Sequence, residues 1–149
     1  MTDTNSTHDT IGDTVTDHQQ IIDLTATYSW ALDTRSWDDL DEVFLPDATA
    51  DLVWALEGRE AIKERVRTAL EHLDSSQHLV ATHQVRVDGD TATCRCYLQA
   101  QHVLGTDTYL VGGKYDDQLV RTDGGWRIAH RALTILWGTG NPAVMRSGR

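Results

Sequence analysis

The sequence predicts an α+β fold: a cone-shaped α+β barrel in which a curved, mostly antiparallel sheet and three helices enclose a pocket. Three observations carry this expectation. Apolar residues recur at helical spacing through the first half of the chain, as far as Leu73. From Gln77 onward the period changes to two and holds through four runs. Between those runs stand Asp88-Gly89-Asp90 and Asp123-Gly124-Gly125, whose residue types make tight turns. Helices followed by consecutive antiparallel strands form an α+β domain rather than a series of βαβ units.

The first helix is expected from about residue 17 to about 32. Thr16-Asp-His-Gln19 has the form of a capping box, and Ile21, Leu24, Tyr28 and Ala31 recur on one face behind it. Ser36-Trp-Asp-Asp39 reads as a second cap, opening a short helix through Leu40 and Val43. Leu45-Pro46-Asp47 should end that helix, because the residue before a proline is pushed out of the α region. Thr49 to Trp54 is a short strand, and Gly58 to Leu73 a third helix with Ile62, Val66, Leu70 and Leu73 on its apolar side. Arg59, Glu60, Lys63, Glu64, Arg67 and Glu71 read as its solvated side. The strands Gln77–Val87, Thr91–Leu104, Tyr109–Thr122 and Trp126–Trp137 then complete the sheet.

The 149 residues are enough for one domain with a real core. Residues 1–15 read as a flexible N-terminal tail, 16–140 as the folded domain and 141–149 as a C-terminal tail. A formal charge of −10 argues against a nucleic-acid surface and against an anionic membrane. No apolar run approaches the ~20 residues of a spanning helix, and the N-terminus lacks the pattern of a signal peptide, so a cytoplasmic protein is expected. Cys94 and Cys96 are too few for a disulfide framework and lack companion metal ligands. They read as buried thiols.

The strand faces give the first functional candidates. Along Thr91–Leu104 one face carries Ala92, Cys94, Cys96, Leu98, Ala100 and His102, and the other is polar almost throughout. His102 is therefore expected to point inward. His78 shares a face with Val80 and Thr82 near the start of its strand, where it is either inward or at a wet edge. In the last strand Arg127 and Arg131 are expected to point outward, which would turn His130 inward. His83 falls on the opposite parity from His78 unless a bulge intervenes. His8, His18 and His72 read as solvated. Asp33 stands where the first helix stops. It is either simple punctuation, since Asp is a poor helix-interior residue, or a carboxylate aimed into the pocket. With His78 it would form a dyad in which the carboxylate fixes the ring's tautomer and the far nitrogen acts as a base.

These residues resemble the SnoaL-like group of the nuclear transport factor 2-like superfamily, over nearly all of Asp17 to Gly138, and most of all its dehydratases of the scytalone and bile acid 7α types. Tyr28-Ser-Trp30-Ala ending in Asp33, with Trp37 four residues on, is similar to the dehydratase first helix and catalytic aspartate. Ser76-Gln-His78 resembles the strand start that carries a catalytic histidine, and His102 falls where a second one stands. Asp123-Gly-Gly-Trp126 and Leu136-Trp-Gly138 resemble the last hairpin and the exit from the sheet. By the same resemblance, Leu32 and Leu52 stand where scytalone dehydratases have two tyrosines that hold a water against the substrate carbonyl, and Gly113 and Tyr115 stand for a Ser and an Asn, so scytalone itself is not the expected substrate.

The resemblance implies a lyase or isomerase of the dehydratase kind, working on a hydrophobic cyclic ketone or alcohol without cofactor or metal. It implies His78 as general base, Asp33 as its partner, and His102 and Tyr28 as groups that protonate the leaving oxygen or hold an enolate. Trp30, Leu52, Trp54, Tyr115 and Trp137 are the expected pocket lining. Polyketide cyclase chemistry, a small-ligand carrier and an accessory subunit are the alternatives. A homodimer or homotrimer is expected from the same resemblance.

Overall fold

The structure, a computed structural model, describes residues 6–146, with side chains described from Thr16 onward. Residues 1–5 and 147–149 of the two expected tails, and the side chain of His8, lie outside the described residues. Helix α1 runs Ser6–Asp33, so it begins ten residues before the capping box at Thr16, inside the expected tail. No proline interrupts this stretch, and a helix already nucleated gains a hydrogen bond with each residue added. Its buried stripe is Ile21, Thr25, Tyr28, Ala31 and Leu32.

A 3₁₀ helix (Trp37–Glu42) follows, where a short α-helix was expected, and Ser36 makes no side-chain cap bond there. Strand β1 (Phe44–Asp51) starts earlier than expected and includes Pro46. The proline is tolerated because the pairing of β1 with its neighbour jumps between Phe44 and Thr49, a bulge that needs no N–H at that point. Strand β2 (Ala55–Glu57) and helix α2 (Arg59–Leu70) come next. Two members of α2's expected solvated side, Arg59 and Lys63, instead pair with Asp41 and so fasten α2 to the 3₁₀ helix.

The remaining strands are β3 (Ser75–Asp88), β4 (Thr91–Leu104), β5 (Asp107–Thr122) and β6 (Gly125–Gly140). They form one six-stranded, unclosed sheet in the order β2-β1-β6-β5-β4-β3. Only β1 and β6 run parallel; the other pairs are antiparallel. The expected α+β cone is thus the fold of this chain. The C-terminal segment is not a loose tail throughout. Pro142–Met145 forms a 3₁₀ turn capped by the Asn141 side chain, with Val144 fully buried. His72, expected in solvent, bonds the Val144 carbonyl at 2.8 Å.

On β4 the alternation is as expected, with Ala92, Cys94, Cys96, Leu98, Ala100 and His102 all buried. Elsewhere bulges shift the faces. In β3 the pairing slips between Ala81 and Gln84, and Thr82 has φ of 60°, which turns His83 inward. In β6 Gln118 faces His130 but Leu119 faces Ile128, leaving Ala129 as the extra residue. Arg131 consequently points inward, fully buried, and not outward as the parity suggested. Its guanidinium makes two bonds of 2.8 Å to the buried carboxylate of Asp117. His130 is turned the other way and bonds Thr49 at 2.7 Å.

Candidate active site

Helix α1 ends in a turn with two backbone bonds, Ser36 N–H to the Ala31 carbonyl at 2.9 Å and Arg35 N–H to the Leu32 carbonyl at 3.3 Å. This is the Schellman arrangement, with Arg35 at φ of 61° where glycine is usual. The Arg35 side chain accounts for its own placement, since Nη1 donates to the Leu32 carbonyl (2.7 Å) and to Ser76 Oγ (2.9 Å). Asp33 is the last helical residue before that turn, next to the first residues of β3. Its Oδ1 accepts from His78 Nδ1 (2.7 Å) and from the Ser76 hydroxyl (3.0 Å), and its Oδ2 accepts from the His78 backbone N–H (2.7 Å). Asp33 is therefore both a helix end and the partner of an imidazole.

Burial works against the Asp33 carboxylate, but the His78 side chain and amide and the Ser76 hydroxyl outweigh it and hold its pKa below the ordinary carboxylate value. An ionised carboxylate only accepts, so the shared proton sits on His78 Nδ1 and the lone pair of the neutral ring is on Nε2. His102 is 4% exposed, and its Nδ1 lies 2.9 Å from the Tyr109 carbonyl. A carbonyl also only accepts, so His102 too carries its proton on Nδ1 and presents Nε2 as an acceptor. Burial, and then the neighbouring His78 and Arg35, keep its pKa below the usual histidine value. The two rings stand nearly perpendicular, with centroids 5.9 Å apart.

Both imidazoles, together with Tyr28, line an inner cavity of about 120 Å³. The rest of its wall is chiefly Leu32, Leu52, Leu98, Ala100, Tyr115 and Leu133. A wider groove of about 570 Å³ lies outside, between α1 and the start of β3, and touches Asp33, Ser76 and His78. The dyad thus forms part of the wall between the two spaces. The cavity gathers His78, His102 and Tyr28, whereas of these the groove touches His78 and neither of the others. The phenol of Tyr28 is 2% exposed, and burial raises its pKa, so it stays protonated as a donor. Its ring packs edge-on against Phe44 and Tyr115.

Of the expected lining residues, Leu52 and Tyr115 are in the cavity wall and three tryptophans are not. Trp30 is 70% exposed on the groove side of α1. Trp54 is 59% exposed, with its ring under Arg65. Trp137 is set on the outer face by a second bulge in β6, where Gly112 pairs with Trp137 but Gly113 with Ile135. A Cβ at Gly112 would collide with its indole, so the ring occupies the space the glycine leaves.

Sequence reasoning missed Ser76 and Arg35, which brace the dyad, and Arg131, which lies 4.4 Å from the Tyr28 ring and 3.9 Å from the Tyr115 ring. The inward parity of Asp117 beside Tyr115 and Leu119 was the available signal for a buried cation opposite. Among the described residues no cluster of three His, Cys, Asp or Glu side chains is arranged to hold a metal ion.

Residues 13–132 match the SnoaL-like domain. An uncharacterised protein of Mycobacterium tuberculosis is 39% identical over 126 residues, which covers 80% of this chain and 86% of that protein. A terrestric acid biosynthesis cluster protein of Penicillium crustosum is 31% identical over 125 residues, covering 73% of this chain and 80% of that one. Among solved structures, a protein of Kribbella flavida superposes with a TM-score of 0.83 at 26% identity, covering 90% of this chain and 99% of that one. A hexachlorocyclohexane dehydrochlorinase of Novosphingobium barchaimii shares the fold, with a TM-score of 0.76 at 18% identity over 87% of this chain and 93% of that one.

Proposed function

This chain belongs to the SnoaL-like domain family, and from that premise we propose that it is a cofactor-independent lyase or isomerase acting by proton abstraction on a hydrophobic cyclic ketone or alcohol. The observation that carries the proposal is the 2.7 Å contact of Asp33 with His78 Nδ1, which leaves Nε2 as a base at an apolar cavity. Nε2 takes the proton on carbon next to a carbonyl, and the C–H electron pair moves to the carbonyl oxygen as an enolate. Asp33 stabilises the imidazolium that forms. Tyr28 supplies the phenol that donates to the enolate. Where the neighbouring carbon bears a hydroxyl, the enolate collapses, the C–O bond breaks, and the imidazolium of His78 gives its proton to the departing oxygen, releasing water. Where a C=C bond adjoins the reacting carbon instead, a dienolate forms, the imidazolium of His78 returns the proton to its far carbon, and the product is an isomer.

The neutral tautomer of His102 modifies the role expected for it. An Nε2 lone pair accepts a hydrogen bond from a substrate hydroxyl, orienting it, and is not a resting proton donor. The first step is shared with aldol cyclisation, which makes a polyketide cyclase the second reading, and a relative named for a biosynthesis cluster is in keeping with a biosynthetic role. A homodimer or homotrimer also fits, since Leu79, Tyr97 and Trp137 expose apolar surface on the outside of the sheet. Sedimentation at several concentrations tests that.

The test of the reaction is deuterium uptake at the α-carbon of cyclic ketones in D2O, followed by NMR. Wild-type protein should accelerate uptake, and His78→Ala should lose about 10²-fold or more while remaining folded. Absence of any acceleration across a panel of ketones would reduce the chain to a ligand carrier.

A further inference from the structure

The cationic side chains near the reaction site differ in their company. Arg131 is paired with Asp117, and Arg35 is engaged by Leu32 and Ser76 beside Asp33. Arg65 stands apart. It projects from α2 into the wall of the inner cavity, next to Leu52 and Val53. Its guanidinium carbon lies 3.9 Å from the Trp54 ring centre, and Nε donates to the Leu52 carbonyl at 3.3 Å. Among the described residues no carboxylate lies within ion-pairing distance of it, and its two terminal nitrogens make no hydrogen bond. Val53 and Ile135, which line the same cavity, are 58% and 49% accessible, so the cavity opens to solvent on that side.

A guanidinium that lies over an indole and donates through Nε to a carbonyl keeps its two Nη atoms free, the edge that takes a carboxylate through two parallel bonds. The chain as a whole carries a formal charge of −10, so general attraction does not draw an anion here. An anionic ligand needs a local counter-ion, and among the described residues of the apolar cavity wall Arg65 is the guanidinium without an ion-pair partner. Burial also acts on Arg65, disfavouring its charge, which an incoming anion would offset.

We propose that Arg65 is the specificity-determining residue for a carboxylate, or an equally acidic enol, on the substrate, holding it at the mouth while the ring carbonyl reaches His78. This rests on the proton-transfer reading of the same cavity and narrows its substrate class to acidic cyclic ketones. The oxygen pair of the anion would meet the two Nη atoms, and the apolar ring would displace water from between Leu52, Val66 and Leu133.

The probes are cyclohexanone and 4-oxocyclohexane-1-carboxylate, one ring with and without the charge, titrated by NMR against the full chain and tested for α-deuterium exchange. Wild type should bind the carboxylate about tenfold or more tightly than the neutral ketone, with the margin shrinking in high salt. Arg65→Gln should abolish the margin, read in each variant as the ratio of the two affinities. Arg65→Lys should keep part of it, as should Trp54→Leu, which retains the cation. Equal binding of the two ketones by wild type overturns the proposal without any variant, and so does a margin that survives in folded Arg65→Gln. Exchange is scored separately, so the two ideas can fail apart. A carboxylate preference with no exchange leaves Arg65 standing and removes the reaction. Exchange without preference does the reverse.

Discussion

Replacing Asp33 with Asn changes one atom's identity and probes the whole dyad. The carboxylate accepts three hydrogen bonds, two from His78 and one from Ser76, at 2.7, 2.7 and 3.0 Å. A carboxamide has one acceptor oxygen and one NH2 donor. With its oxygen at the Oδ1 position it keeps the ring and the serine, but its NH2 faces the His78 backbone N–H, donor against donor. Turned over, it keeps the backbone bond but directs NH2 at His78 Nδ1, which then must give up its proton and move it to Nε2. Either arrangement loses a charge-assisted bond at a largely buried site, which costs roughly 1.5–3 kcal/mol of stability. The second also removes the lone pair from the cavity, so turnover should fall roughly 10²- to 10⁴-fold. The carboxylate's depressed pKa means that its stabilisation is full above the ordinary value of 3.8 and is lost as pH falls through the lower folded value. The stability gap between wild type and Asp33→Asn should therefore narrow in acid. Ring nitrogen shifts of His78 report the tautomer without any substrate, and α-proton exchange reports the chemistry. A variant with the wild-type exchange rate and an unchanged Nδ1–H would refute the reasoning.

Stability should also decline as pH falls below the ordinary histidine value of 6.5, because burial lowers the pKa of both His83 and His102 while the unfolded chain takes up protons freely. His102→Gln should flatten the melting-temperature profile between about pH 6.5 and 5, each histidine contributing a slope of at most ~1.4 kcal/mol per pH unit; an unchanged slope would count against its buried neutral form. Arg131→Met leaves the Asp117 carboxylate fully buried without its partner and should cost about 3–5 kcal/mol by urea unfolding. The double variant with Asp117→Leu should lose clearly less than the two single changes added together.

What could be read from the residues depended on whether a strand keeps its period. In β4 it does, and the inward set from Ala92 to His102 followed from parity alone. In β3 and β6 it does not. The left-handed Thr82 turns His83 inward to meet Thr25 at 2.8 Å, and the extra Ala129 exchanges the faces of His130 and Arg131. A bulge adds one residue, and none of these residues announces it, so every side chain beyond it is assigned to the wrong face. The tryptophans failed for a different reason. Indoles are large and are expected in pocket walls. Trp54 and Trp137 have their own local partners, Arg65 and the bare backbone of Gly112, and so stand outside. The ambiguity at Asp33 came from asking for one role. The Schellman turn ends the helix through Arg35, and that leaves the preceding carboxylate free to serve β3.

That last arrangement depends on how α1 is held. Among its described residues, polar side chains at positions 17, 25 and 33, eight residues apart, tie it to the sheet. Asp17 takes two bonds from Arg121, at 2.7 and 2.8 Å, and one from the Trp126 indole at 3.0 Å. Thr25 is met by His83 from the β3 bulge, and Asp33 by His78 near the start of the same strand. Eight residues advance a helix about 80° past two full turns, so the points of attachment move around α1 as a twisted sheet curves beneath it. The first and last ties are about 24 Å apart along the axis, from one end of the helix contact to the other. A shift of the helix by one residue would rotate Asp33 by about 100° and break the ties at Asp17, Thr25 and Asp33 together. The dyad's 2.7 Å geometry is therefore set by the seating of the whole helix, and the bulge that hid His83 from the sequence is one of the points that seats it.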